Sequence, residues 1–153
     1  MNKILFLLLV SAVHLTAAQP SQLYGEWIAE RKTSINGSTN TRYEDLRFNP
    51  GSFMVTVHLT VQKEDYLIED MQIEGRGIWK VSGDILVYVI SEVRAIGVRK
   101  TVGISQESIN KLARDIQKKY MDDPVRISKI QSIGSDTLIN MNESSEVIQY
   151  RRK

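Results

Sequence analysis

Phe53-Met54-Val55-Thr56-Val57-His58-Leu59-Thr60-Val61-Gln62 decides the fold class. Phe53, Val55, Val57, Leu59 and Val61 fall on one side of this run; Met54, Thr56, His58, Thr60 and Gln62 fall on the other. Side chains of a strand alternate in direction, so the pattern is that of a strand with one buried and one solvated face. Asn49-Pro50-Gly51 in front of it is a turn. Residues 42–48 are therefore expected to be its hairpin partner. Downstream, Met71, Ile73, Gly75, Gly77, Trp79 and Val81 share one face of a second strand, over about 66–81. Glycine at two successive positions of one face marks a bulge, a bend or a close backbone approach. Ser82-Gly83-Asp84 turns the chain into 85–93, whose opening run Ile85 to Ile90 is apolar throughout.

The period then changes. Ile109, Leu112, Ala113, Ile116 and Tyr120 lie on one helical face, with Ser105 as N-cap and Glu107 in the first turn. The expected helix covers 105–121 and stops at Asp122-Asp123-Pro124. Its flank, Arg94 to Ile104, is expected to be irregular. Shorter strands are expected at 125–133, 136–142 and 146–152. The chain is thus read as mainly β: about eight antiparallel strands, with one amphipathic helix inserted before the last three. Eight strands is about the number at which a closed barrel either fills with side chains or holds one small ligand.

The N-terminus sets an address. Lys3 precedes the apolar Ile4 to Val10, and Thr16-Ala17-Ala18 closes the segment with small residues. This is the layout of a secretory signal peptide, expected to be cleaved after Ala18. The apolar run is shorter than the roughly 18–20 residues that span a bilayer, so no membrane anchor is expected after cleavage. Residues 19–153 then form one domain. With no cysteine in the sequence, its core must hold without disulfides. Removing residues 1–18 leaves 19 basic against 18 acidic residues, a balance with no global footprint for nucleic acid. The expected location is periplasmic or secreted.

Leu23-Tyr24-Gly25-Glu26-Trp27 resembles the Gly-x-Trp opening of the lipocalins and related calycin barrels. Gly77-Ile78-Trp79-Lys80-Val81-Ser82-Gly83-Asp84-Ile85-Leu86 is similar to a hairpin of small bacterial lipocalin-like domains, and Tyr150-Arg151-Arg152 to their closing strand. The resemblance implies a lipocalin-like β-barrel in which Trp27 plugs one end and Arg152 packs across it. The chain departs from the family by placing its helix before the last three strands. It also lacks a Thr-Asp-Tyr-like loop.

Catalytic chemistry finds little to work with. His58 is the one histidine left after cleavage, and it lies on the solvated face of its strand. The acidic doublets Glu64-Asp65, Glu69-Asp70 and Asp122-Asp123 send adjacent side chains to opposite faces of a strand, or sit at a helix end. No nucleophile, base and orienter assemble, so no enzyme activity, metal site or cofactor is expected. The expected function is binding of a small, mostly apolar ligand inside the barrel. Val55, Val57, Leu59, Met71, Ile73, Val87 and Val89 are the expected lining, on the premise that the most apolar face of each strand points inward. The alternative is an envelope or secreted interaction protein with a packed interior. It would meet a protein partner through its outer face or through the helix.

Overall fold

The computed structural model describes residues 17–153. The expected signal peptide lies outside the described residues except for Ala17 and Ala18. After a short helix α1 (Pro20–Leu23), the strands are β1 (Gly25–Ile35), β2 (Ser38–Asn49), β3 (Ser52–Gln62), β4 (Leu67–Ser82) and β5 (Ile85–Val102). Helix α2 (Gln106–Asp122) follows, and then β6 (Val125–Ile133), β7 (Thr137–Asn142) and β8 (Val147–Arg152). Each strand pairs antiparallel with the next. The ring closes where β1 meets β8, through Trp27↔Arg152 and Ile28↔Arg151. The result is an eight-stranded closed barrel, with the helix before the last three strands as the sequence pattern requires.

The alternation of β3 sets the inner face. Phe53 stands opposite Phe48, and Val55 opposite Leu46, across the β2–β3 hairpin. The same two residues stand opposite Gly77 and Gly75 of β4. Those glycines leave room. A Cβ on Gly77 would lie 1.9 Å from the Val89 carbonyl oxygen and 2.9 Å from the Phe53 ring. Backbone cannot yield at that range without opening the β4–β5 ladder. Gly77→Ala is therefore expected to cost stability at the upper end of the roughly 1–3 kcal/mol typical of overpacking. Gly97→Ala, with no heavy atom within 4 Å of the added carbon, should stay within about 0.5 kcal/mol of wild type. Urea denaturation of the two variants checks the contrast.

One half of the interior is solid. Leu23, Trp27, Leu46, Phe48, Phe53, Trp79, Leu86, Leu138, Ile148 and Tyr150 pack into one cluster. Aromatic edges interlock within it: Phe48 meets Trp79 at 4.9 Å between ring centroids, and Phe53 meets Tyr88 at 5.2 Å. The polar tip of Trp79 is satisfied, its Nε1 donating to the carbonyls of Asn49 and Ser52 at 2.8 and 2.9 Å.

The segment 94–104 is not the irregular excursion that its sequence suggests. β5 pairs with β6 only from Ile85 to Val89, yet continues along β4 to Val102. Register shifts opposite Gln72/Ile73 and Arg76/Gly77 insert extra residues into β5. Each shift reverses the phase of the alternation, which is why the strand cannot be seen in the sequence. The long ends of β3, β4 and β5 form a platform for α2. Ile109, Leu112, Ala113 and Ile116 pack there on Leu59, Val61, Ile68, Met71 and Val98. Ser105 caps the helix, its Oγ accepting from the Ser108 amide at 3.2 Å. Helix α2 thus covers the end of the barrel that the aromatic cluster leaves unfilled.

Candidate functional site

Between the aromatic cluster and α2 lies a cavity of about 510 Å³. Leu46, Phe53, Val55, Ile90 and Ile148 give it an apolar side. Arg31, Arg42, Glu44, Tyr88, Ser128, Asn140 and Tyr150 give it a polar one. Lys119, Tyr120 and Asp123 at the end of α2, and Asn142, Glu143, Ser144 and Glu146 at the β7–β8 turn, line it as well. A pocket of several hundred Å³ with apolar walls and a few convergent polar groups is the usual form of a small-molecule site.

Glu44 is the centre of the polar side. It projects from the inner face of β2, two residues before Leu46, and is 5% exposed. Its Oε1 accepts from Arg31 Nη2 at 2.7 Å, and its Oε2 accepts from the Tyr150 hydroxyl at 2.7 Å. Arg42 Nε lies 2.7 Å from the same Oε1, a charge contact without the angle of a hydrogen bond. Burial alone would raise the Glu44 pKa; Arg42, the Tyr150 hydroxyl and Arg31 outweigh it and hold the carboxyl below its ordinary range. Burial likewise works against the charges of Arg31 and Arg42, but Glu146 and Glu44 for Arg31, and Glu44 with Tyr120 for Arg42, overcome it, and both stay protonated more firmly than usual. Burial first, and then the Glu44 charge, push the hydroxyls of Tyr88 and Tyr150 upward, so both remain neutral donors.

The polar side is incompletely satisfied. Arg31 Nε, Arg42 Nε, Ser128 Oγ and Asn140 Oδ1 are buried without a hydrogen-bond partner. Such atoms are uncommon in native interiors and call for a water, an ion or a ligand. The four residues that carry them all line the cavity.

Of the lining expected from sequence, Val55 is in place. Val57 and Ile73 stand opposite each other on β3 and β4, outside the lining. Leu59 and Met71 belong to the small core under α2. Val87 and Val89 are on the outer face, and Val89 is 37% exposed; Tyr88 and Ile90 point inward in their place. The apolar run 85–90 carries no alternation to fix its phase. The turn does: Ser82 pairs with Ile85 and Val81 with Leu86, so the inner face passes from Val81 to Leu86, Tyr88 and Ile90.

At the far end of the barrel, Trp27 is fully buried and donates from Nε1 to the Leu23 carbonyl at 2.7 Å. Arg152 lies over it, its Cζ 4.1 Å from the ring centroid. Its guanidinium also donates to the carbonyls of Ser135, Tyr24 and Gln22, at 2.6, 2.7 and 3.0 Å. A Cβ on Gly25, whose φ is +110°, would come within 2.9 Å of Arg152 Nη1. The glycine of Gly-x-Trp thus makes room for the arginine that covers the tryptophan.

No protein-family model matches the chain, and neither does any curated protein. Two solved structures are similar over 86% of this chain and 99% of their own: a lipocalin-like protein from Bacteroides uniformis, 14% identical, and an uncharacterized protein from Bacteroides eggerthii, 12% identical, each with a TM-score of 0.47. The chain itself folds as a closed eight-stranded antiparallel barrel.

Outside the cavity, His58 makes one contact that its sequence position does not advertise. Its Nδ1 lies 2.6 Å from Asp70 Oδ1 on the outer face. Asp70 has φ +53°, its amide donates to Thr60 Oγ1 at 3.1 Å, and its Oδ2 accepts from Gln72 at 3.1 Å. The His58 hydrogen bond is the main reason that the Asp70 carboxyl is held below its ordinary pKa. These contacts pin the β3–β4 irregularity between Leu59 and Val61. Among the described residues no group of three or more His, Asp or Glu is placed to hold a metal ion.

Proposed function

We propose that the protein binds a small amphipathic molecule in the barrel cavity. The two-sided lining carries this reading: Arg31, Arg42, Ser128, Asn140 and Tyr150 share one space with Leu46, Phe53, Val55, Ile90 and Ile148. A wholly apolar ligand would displace water from the polar side without replacing its hydrogen bonds, which costs about 1–3 kcal/mol for each group left unpaired. A wholly polar one would waste the apolar wall. The occupant that suits both has one polar group at the Arg42–Asn140 side and a short apolar body against Phe53 and Ile148. The mostly apolar ligand expected from sequence becomes an amphipathic one for this reason.

Native mass spectrometry of the protein purified from its own host tests the proposal. A bound small molecule is expected in wild type and absent from Val55→Trp, whose indole would fill the cavity. An empty wild-type protein that takes up no amphiphile would refute it.

A second reading has its own observation. Ile78, Val89 and Val125 are 61, 37 and 41% exposed and adjoin one another on the outer face, since Ile78 pairs with Val89 and Val89 with Val125. Such a patch suits contact with a protein partner in the envelope. Under this reading the cavity would hold water alone.

A further inference from the structure

The charge of the ligand can be read from how the two cavity arginines are neutralised; the inference rests on the cavity being the binding site. Arg31 and Arg42 bring two positive charges to the polar side, and Glu44 returns one negative charge. Glu44 is locked in place: its side chain is 7% exposed and both of its oxygens are occupied by Arg31 and Tyr150. The remaining positive charge is met by a different kind of residue. Glu146, in the turn between β7 and β8, reaches in so that its Oε1 contacts Arg31 Nη1. Its side chain is 44% exposed. It follows Ser145, whose φ is +62°, and its other tie is to Asn142, whose Nδ2 donates to Oε2 at 2.9 Å.

The two carboxylates therefore differ in standing. Glu44 is part of the wall. Glu146 is half in water, and an exposed ion pair is weakly held. Releasing it from Arg31 returns a carboxylate to solvent and gives up one partly exposed ion pair. It also frees Arg31 Nη1, while Nη2 stays on Glu44. A planar guanidinium matches a carboxylate bidentately. A ligand carboxylate at this point would restore the charge balance that Glu146 supplies, and its alkyl chain would run toward Phe53 and Ile148.

We propose that Glu146 is a resident carboxylate holding the place of an anionic ligand group on Arg31, and that the cavity takes amphipathic carboxylates, which displace it on entry. Ligand affinity is then set by competition between the incoming carboxylate and one residue of the β7–β8 turn. Glu64, exposed in the turn between β3 and β4, lies outside the cavity lining.

Decanoate and decanol, an anion and a neutral alcohol with the same chain length, separate the possibilities. Each is titrated calorimetrically into wild type, Glu146→Gln and Glu64→Gln. Removing the competing charge in Glu146→Gln is expected to tighten decanoate about fivefold, equivalent to roughly 1 kcal/mol, and to leave decanol within about twofold of wild type. Glu64→Gln should leave both close to wild type. If Glu146→Gln fails to tighten decanoate, or if Glu64→Gln tightens it equally, the placeholder is refuted while the cavity stands as a site. If neither compound binds wild type, the cavity reading and this inference fall together.

Discussion

Trp27→Ala is expected to lose about 3–5 kcal/mol of stability, the usual cost of truncating a large core aromatic. The position justifies the upper part of that range. Trp27 is 0% exposed, and its removal empties the centre of the closed barrel end. It also leaves the Leu23 carbonyl without its donor and Arg152 without the indole face on which it rests. Cation–π contact is worth about 0.5–2 kcal/mol where the pair is desolvated. Because β1 and β8 pair only through Trp27↔Arg152 and Ile28↔Arg151, this is the narrowest seam of the barrel. A domain with roughly 5–15 kcal/mol in total would be close to its limit. Urea denaturation followed by far-ultraviolet circular dichroism measures the loss. A loss below 1 kcal/mol would mean that the Trp27–Arg152 plug does not hold the barrel closed.

Glu44→Gln should lose a similar amount, about 3–5 kcal/mol, for an electrostatic reason. Breaking a buried ion pair on one side leaves the other charge uncompensated, and here two guanidiniums share the carboxylate. The pH dependence carries the same signature. The folded pKa of Glu44 lies below its ordinary 4.5, so the folded state binds the proton less readily than the unfolded chain. Its contribution is fully present above the ordinary value and is lost as pH falls through the lowered one. Glu146, held down chiefly by its Arg31 hydrogen bond, adds to the same acid limb. Wild type should therefore destabilise steeply below about pH 4.5, and Glu44→Gln should show a shallower decline from a lower start. Thermal midpoints across pH 3 to 7 give the comparison. Parallel curves for the two proteins would show that Glu44 is not the ionised centre of the cluster.

The barrel was legible where the alternation is clean. Residues 53–62 define the inner face of β3. The spacing of Ile109, Leu112, Ala113 and Ile116 defines the helix, and Gly75 and Gly77 announce the close approach found opposite Val55 and Phe53. Legibility fails where phase is hidden. In β5 the bulges reset the alternation, and the uniformly apolar run 85–90 fits either face equally well. Its register had to come from the turn at Gly83.

The polar side of the cavity was missed for another reason. Its residues come from separate strands, and each one looks like a solvated charge in its local sequence. One signal was present. Arg31 shares the parity of Trp27 and Ala29, and Arg42 and Glu44 share that of Leu46 and Phe48, whose aromatic and aliphatic side chains form the core. Charges on the buried parity of two paired strands are costly unless they meet. Their presence there points to an interior ionic cluster before any coordinates are seen.

The central claim, a ligand site inside the barrel and not on its surface, is tested most directly by mapping where an amphiphile acts. Amide resonances of labelled protein are followed during titration with decanoate. The account predicts saturable shifts at Val55, Tyr88, Ile90, Ser128 and Asn140, with Ile78, Val89 and Val125 unmoved. Shifts confined to the outer-face residues, with the cavity lining silent, would contradict it.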